Sequence, residues 1–145
     1  DVIEPEMLWD TDGNAIRLVL PGYANVNGIA LKLIVSSTAR FHTFYGNVMQ
    51  LQPAGKDVYR VGDSLVMFEE QRRVPQNQPM RAKGIRYFTI QVVDVDREHA
   101  KLIERGAVEG MAPVTLGETA RISFIRDPDG NWIELSQRAS LTGTL

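Results

Sequence analysis

The chain has 145 residues, of which 43% are hydrophobic and 23% are charged, and its formal net charge at pH 7 is −2. This size and composition predict one ordinary domain with its own core, and the balanced charges argue against a nucleic-acid surface or a polybasic membrane contact. Because cysteine is absent, disulfides, thiolate metal ligands and a cysteine nucleophile are excluded. No apolar run approaches the ~20 residues of a membrane span, and the N-terminus lacks a signal-peptide pattern, so we expect a cytoplasmic protein.

Residues 1–27 are predicted to form an N-terminal extension that carries one strand. A turn over Asp10–Asn14 leads into a strand over 15–20, since Asp and Asn side chains bond to local backbone and Gly13 tolerates a positive φ. Residues 21–28 are rich in turn formers and predict a linker. The sequence begins at Asp1 and not at methionine, so we expect it to be a piece of a longer protein.

A strand, a helix and three short strands are predicted over residues 28–69. Ile29–Val35 has the composition of a strand, and the serines and threonine that follow it are good helix N-caps. Phe41, Phe44, Tyr45 and Val48 recur at the spacing of one helix face, which indicates a side turned to the core. The three strands are predicted around 49–53, 57–61 and 64–69, followed by a polar connector over 70–83.

The same order of elements recurs over residues 84–137. A strand is predicted from Gly84-Ile85 to Val93, with Asp94 as the N-cap of a helix that ends at Gly106. Strands should follow around 107–112, 119–126 and 131–137. Residues 138–145 are predicted to be a frayed tail.

One polar turn occurs twice in the chain. Asp10-Thr11-Asp12-Gly13-Asn14 reappears as Asp127-Pro128-Asp129-Gly130-Asn131, at about twice the spacing that separates Gly28 from Gly84. Repeats of this length indicate an architecture built from copies of one unit. Residues 10–20 therefore resemble the last strand of a preceding unit, or else they add an edge strand to this domain's own sheet. Either way the strand needs a partner, because an unpaired apolar edge promotes association.

These features together resemble the vicinal oxygen chelate superfamily, which includes glyoxalase I, extradiol dioxygenases and bleomycin-resistance proteins. The resemblance covers residues 28–137 and rests on the doubled unit, on Phe44–Met49, on Val92-Val93-Asp94 and on Asp127–Leu135. It implies an α+β fold in which two paired βαβββ modules, 28–69 and 84–137, form an open barrel-like cleft. Such a fold hosts many activities and does not by itself fix a reaction.

The resemblance also implies where a metal would be held, in the first and last strands of the modules. In this sequence those positions are Ala30, Met67, Tyr87 and Glu134. Alanine and methionine offer no hard donor, tyrosine is protonated near neutral pH, and one carboxylate is not a metal site. We therefore expect no metal and no other cofactor in this chain. The two histidines lie in the helices, and we expect His42 to be solvated and His99 to pack between helix and sheet.

Strand alternation predicts which side chains line the cleft. Aromatic and apolar groups with a few convergent polar groups are typical of small-molecule sites. Glu134 could accept a ligand cation or hydroxyl or act as a general base; alternatively, it pairs with Lys32 as a structural ion pair. The candidate ligand-binding residues are Lys32, Met67, Tyr87, Thr89, Gln91, Trp132 and Glu134.

Three functional hypotheses follow from this set. The first is a protein that binds a small hydrophobic or planar molecule without metal. The second is a metal-dependent glyoxalase-like lyase or dioxygenase whose metal site lies in the full-length protein or a partner chain, and the third is a degenerate structural module. The unpaired N-terminal strand further predicts a homodimer, and we expect neither a nucleic-acid nor a membrane partner.

Overall fold

The computed structural model describes residues 6–143 and 145. Its elements alternate short strands with two main helices, and both helices begin where the sequence predicts. The strands are β1 (Met7–Trp9), β2 (Ala15–Arg17), β3 (Ala30–Val35), β4 (Gln52–Gly55), β5 (Val58–Val61), β6 (Ser64–Glu70), β7 (Tyr87–Gln91), β8 (Val108–Leu116), β9 (Ala120–Arg126) and β10 (Trp132–Arg138). The helices are α1 (Thr38–His42, continued by a π-helical segment over Thr43–Val48), α2 (Val95–Glu104) and α3 (Ala139–Thr142).

The two predicted βαβββ modules are confirmed. The first forms a four-stranded sheet in the order β3-β6-β5-β4, and the second forms a four-stranded sheet in the order β7-β10-β9-β8. In each sheet the first strand pairs in parallel with the last, and the remaining pairs are antiparallel. The fold is therefore α+β and open, and the sheets do not close into a barrel.

The helices are held by the caps that the sequence predicts. The side chain of Ser37 accepts the backbone N–H of Arg40 at the start of α1, and that of Asp94 accepts the N–H of Arg97 at the start of α2. Such side-chain acceptors satisfy donors that a helix leaves unpaired at its first turn. No helix within the described residues is long and apolar enough to cross a membrane.

Two predicted segments differ from the structure. The strand predicted over 15–20 is shorter, because β2 ends at Arg17 and Leu18 and Leu20 are exposed. The tail predicted to be frayed instead forms α3, which ends at Gly143 with a left-handed φ of 82°. Glycine tolerates that φ without the strain of a side chain, so this short helix has an ordinary C-terminal stop.

The buried core lies on the helix side of both sheets. On β10, Ile133 and Leu135 are almost fully buried, and the buried rings of Phe41, Phe44 and Tyr45 lie on α1 and its π-helical continuation. Full burial of one aliphatic side chain such as Ile133 contributes about 1.5–3 kcal/mol to folding, so these buried side chains are a main source of stability. Because neighbouring side chains of a strand point to opposite faces, this packing turns Glu134 away from the helices.

The Asp127–Asn131 turn links the second module to the first. The backbone N–H of Ser36 donates to the Asp129 carboxylate at 2.8 Å, and the Ser36 hydroxyl bonds to the same group. A guanidinium N–H of Arg40 donates to the Pro128 carbonyl oxygen at 2.6 Å. The turn thus holds the end of β3 and the start of α1 against the start of β10.

Candidate functional site

Glu134 is a buried carboxylate on the sheet face opposite α2. Its residue is 5% exposed, and its register neighbours are Thr89 on β7 and Phe124 on β9. The Thr89 hydroxyl donates to Glu134 Oε2 at 3.3 Å, which is a long hydrogen bond. Among the described residues no basic side chain forms an ion pair with Glu134. A buried charge with so little compensation is costly, which singles this group out.

The alternative in which Glu134 pairs with Lys32 is wrong. The Lys32 ammonium forms its ion pair with Glu69 on the neighbouring strand of the first sheet, and both side chains are well exposed. That contact lowers the pKa of Glu69, first through the hydrogen bond from Lys32. Lys32 is thus engaged in an exposed pair of small energetic value.

Aromatic side chains surround the carboxylate on the same face. The rings of Tyr87 and Phe124 meet edge to face with centroids 5.3 Å apart, and those of Phe124 and Trp132 meet at 6.0 Å. Phe124 is buried, whereas Tyr87 keeps 41% of its surface exposed. Tyr87 therefore presents free aromatic surface close to Glu134, a combination that suits contact with a planar molecule.

Trp132 is mainly held by its own protein contacts. Its indole N–H donates to the carbonyl oxygen of Gln78 at 3.1 Å, and the guanidinium carbon of Arg126 lies 4.0 Å from the ring centroid. The tryptophan thus attaches the polar connector to the second sheet. It retains partial exposure, but its indole N–H and one ring face are already occupied.

Thr89 and Gln91 also line a cavity next to the edge strand β7. The cavity has a volume of about 490 Å³ and lies between the start of β3, the β5–β6 turn and β7. Its walls are mostly aliphatic, with Phe88 as the aromatic member. The remaining lining residues are Ile29, Leu31, Val61, Gly62, Asp63, Ser64, Leu65, Val66 and Ile90.

The structure groups the predicted site residues by sheet. Tyr87, Thr89, Gln91, Trp132 and Glu134 share one face of the second sheet. The other two lie together on the first sheet, where Lys32 on β3 is the register partner of Met67 on β6. No hydrogen bond, ion pair or ring contact among the described residues joins these two groups.

The side chains at the implied metal positions do not fit a divalent ion. Ala30, Met67 and Tyr87 contribute no carboxylate or imidazole, which leaves Glu134 alone. In the part of the chain that the structure describes, no three His, Asp or Glu side chains are grouped so that they could hold a metal ion.

Sequence reasoning missed one member of the site face, Phe124, which is the cross-strand neighbour of Glu134. Another residue of this face, Ser136, is fully buried with a hydroxyl that has no hydrogen-bond partner among the described residues. Alternation along β10 pointed to Ser136, since it lies two residues after Glu134. The assignment of Phe124 required the register between β9 and β10, which the sequence does not print.

The two histidines lie outside this face, in the helices. His42 was predicted to be solvated, and its side chain is 42% exposed; its ring is also bonded to the Tyr59 hydroxyl at 2.9 Å and to Asp57 at 2.8 Å. Burial, and then the charge of Asp57, raises the pKa of Tyr59. His99 packs between helix and sheet as expected, and its Nε2 is bonded to Glu109 at 3.0 Å.

Comparison with known proteins agrees with this architecture. The family model for the glyoxalase/bleomycin resistance protein/dioxygenase superfamily matches residues 26–135. The chain belongs to that superfamily. A search of curated proteins found no match.

Solved structures show the same fold at low sequence identity. A glyoxalase family protein from Bacillus cereus superposes with a TM-score of 0.65 at 16% identity, covering 77% of this chain and 93% of that one. A glyoxalase-related enzyme from Fulvimarina pelagi gives 0.61 at 14% identity, with 77% and 87% covered. TioX from Micromonospora sp. ML1 gives 0.59 at 17% identity, with 76% and 97% covered. At these identities the likeness establishes the fold alone.

Proposed function

We propose that this protein binds a small hydrophobic or planar molecule on the open face of the second sheet, without a metal. The observation that carries the proposal is Glu134, a buried carboxylate whose one hydrogen bond within the described residues comes from Thr89 at 3.3 Å. A group of this kind has unused acceptor capacity in a setting of low polarity, where a hydrogen bond is stronger than in water.

The neighbours of Glu134 define what the ligand should look like. The half-exposed ring of Tyr87 offers a surface for a flat apolar group. Glu134 accepts a hydroxyl or a positively charged nitrogen from the ligand, which would supply the missing compensation for its buried charge. Thr89 and Gln91 reach into the adjoining cavity and contribute further polar contacts. Lys32 and Met67, on the first sheet, are proposed to contact the far side of the ligand.

A ligand panel tests the proposal directly. Benzamidine, benzyl alcohol and benzoate share one ring but offer a cation, a hydroxyl and an anion, and each is titrated into metal-free protein by calorimetry. We expect benzamidine or benzyl alcohol to bind at least tenfold more tightly than benzoate. The preference should disappear in Glu134→Gln and persist in Glu69→Gln, a matched change at an exposed glutamate. Tighter binding of benzoate, or binding that Glu134→Gln leaves unchanged, contradicts the role of the carboxylate.

The same titrations separate the alternatives. A metal-dependent lyase or dioxygenase requires Ni, Zn, Fe or Mn, so metal analysis of the full-length protein and loss of binding in chelator would favour it. A degenerate structural module predicts no binding across a broad panel, while Tyr87→Ala and Glu134→Gln alter only stability. The metal-dependent alternative is favoured by one observation. The β1–β2 hairpin copies the turn of β9–β10, as expected if the full-length protein has a further module that could hold a metal site.

A homodimer and a cytoplasmic location remain part of this proposal. Apolar side chains outside β1 and β2 support association, because Ile29, Ile85 and Val93 are each more than half exposed and large exposed apolar side chains are common at interfaces. Light scattering at micromolar concentration tests the dimer, and the mass of a monomer would contradict it.

A further inference from the structure

The N-terminal hairpin β1–β2 reproduces the closing hairpin β9–β10 in its turn. Asp10 accepts the backbone N–H of Asp12 at 2.9 Å, the N–H of Asn14 at 2.8 Å and the side-chain amide of Asn14 at 2.7 Å. At the second turn, Asp127 accepts the equivalent three groups at 3.0, 2.8 and 2.7 Å. The turn glycines have φ values of 83° and 81°.

The strand register of the two hairpins is also the same. The pairs Met7–Arg17, Leu8–Ile16 and Trp9–Ala15 stand before and after the first turn. The corresponding pairs in the second hairpin are Phe124–Glu134, Ile125–Ile133 and Arg126–Trp132. Turn and register together make β1–β2 a structural copy of β9–β10.

The two copies differ sharply in burial. Ile125 and Ile133 are 0% exposed, whereas the equivalent Leu8 and Ile16 are 41% and 43% exposed. Leu18 stands two residues after Ile16, at the place of Leu135, and is 70% exposed where Leu135 is 2% exposed. In the second module the hairpin is flanked by β8 and β7 and packs against α2. Within the described residues, β1 and β2 form a sheet of two strands only.

We propose that β1–β2 is the closing hairpin of a further βαβββ module, and that the polypeptide preceding β1 supplies the strand–helix–strand segment that covers its apolar face. Leu8, Ile16 and Leu18 are spaced for packing against an amphipathic helix, as their counterparts pack near α2. A two-stranded hairpin is marginally stable by itself and needs such cover.

The connectivity favours this occupant over a second copy of the chain. On β9 the outer neighbour is the antiparallel β8, joined by the short turn 117–119, so the equivalent neighbour of β1 is the strand directly before it in sequence. On β10 the outer neighbour is the parallel β7, which requires a crossover through a helix. A second hairpin from another copy provides neither the parallel strand nor the helix.

Hydrogen exchange tests the proposal on the 145-residue chain and on the longer polypeptide read from the natural start codon. In the 145-residue chain we expect the amides of Leu8 and Ile16 to exchange at least 100-fold faster than those of Ile125 and Ile133. In the longer polypeptide the same two amides should slow at least 100-fold. Unchanged exchange overturns the proposal, and so does a reading frame that adds no strand–helix–strand segment.

The dependence of amide protection on protein concentration distinguishes cover by the preceding polypeptide from cover by a second copy of the chain. If the amides of Leu8 and Ile16 are already protected in the 145-residue chain, and protection rises together with a dimer mass, a second copy is the occupant and the proposal fails. Protection in that chain without a dimer would also overturn it, because the hairpin would then be self-sufficient.

A pair of variants on opposite faces of β2 gives the second arm. In the longer polypeptide Ile16→Gln should lower the melting temperature and speed exchange of the hairpin, while Arg17→Gln on the other face should change neither. In the 145-residue chain both variants should leave the melting temperature unchanged. If Ile16→Gln prevents folding of the longer polypeptide, Ile16→Ala is compared in its place. Equal effects of the two faces contradict the proposed cover.

Discussion

Asp127 should make the protein more stable in mildly acidic solution than at neutral pH. Burial is the main cause that raises the pKa of its carboxyl to about 6 from the usual 3.8; the hydrogen bonds from Asn131 and Asp129 act in the other direction, and the charge of Asp129 adds to the rise. The unfolded chain ionises near the usual value. Between these two pKa values the folded protein binds more protons than the unfolded chain, so stability rises as the pH falls through about 6.

The size of the effect follows from the two pKa values. With about 6 in the folded state and 3.8 in the unfolded state, linkage gives a gain of roughly 1.4 kcal/mol between pH 7.5 and pH 5 and about 3 kcal/mol when complete below 3.8. The carboxylates with lowered pKa values lose their contribution only at lower pH, because their usual values are 4.5 or 3.8; they are Asp10, Glu69, Glu70 and Asp96. Between pH 7.5 and pH 5, the contribution of Asp127 to the unfolding free energy can therefore be measured with little interference from these carboxylates.

Urea unfolding of the protein and of Asp127→Asn at both pH values measures this term. The variant keeps one oxygen for the turn amides but cannot ionise, so the difference in unfolding free energy between protein and variant should change by about 1.4 kcal/mol across the window. Asp10→Asn is the matched control, because the side chain of Asn14 lowers the pKa of the exposed Asp10 carboxyl instead of raising it. Identical pH dependence in protein and Asp127→Asn would refute the reasoning.

Three further predictions concern the same architecture. Gly130→Ala should cost at least ~2 kcal/mol more than Gly13→Ala, because an added Cβ at Gly130 would lie 2.9 Å from the backbone Cα of Asn77, whereas an added Cβ at Gly13 has no atom within 4 Å. Equal losses in urea unfolding would contradict this. Ile133→Ala should lower the unfolding free energy by about 2–5 kcal/mol and Ile16→Ala by under ~1 kcal/mol, since only Ile133 is fully buried. Similar losses in calorimetric unfolding of the 145-residue chain would show that Ile16 is covered. Ser36→Ala should cost about 1–2 kcal/mol by removing a hydroxyl that bonds to a buried carboxylate, with Ser37→Gly as a cap-only comparison; no change in unfolding free energy would mean that the turn is held by its other contacts.

Local signals in the sequence determined the order and type of the elements. Asp94 and the Ser36–Thr38 run marked helix starts because short polar side chains satisfy the first unpaired N–H groups of a helix. The period of Phe41, Phe44 and Tyr45 marked a buried helix face, and all three are buried. The repeated Asp-x-Asp-Gly-Asn turn adopts one hydrogen-bonded form in both copies, since its bonds are made within five consecutive residues.

The candidate site was predictable only in part. Alternation along β10 turned Glu134 away from Ile133 and Leu135, and the sequence alone sufficed for that. Which groups surround Glu134 depends on the pairing of β10 with β7 and β9, which links residues far apart in the chain. Lys32 shows what the sequence could not predict. It pairs with Glu69 and not with Glu134, because the pairing of β3 with β6 brings Lys32 and Glu69 together.

Only the tertiary structure gave the two copies of the Asp-x-Asp-Gly-Asn turn different chemistry. Asp10 and Asp127 make the same hydrogen bonds within this motif, yet the pKa of Asp10 is lowered and that of Asp127 is raised to about 6. The difference is burial, because the second turn is packed against the start of α1 while the first remains exposed. Sequence thus determined the local bonds of each turn, and long-range packing decided how much water each carboxylate keeps, which fixes the cost of its charge.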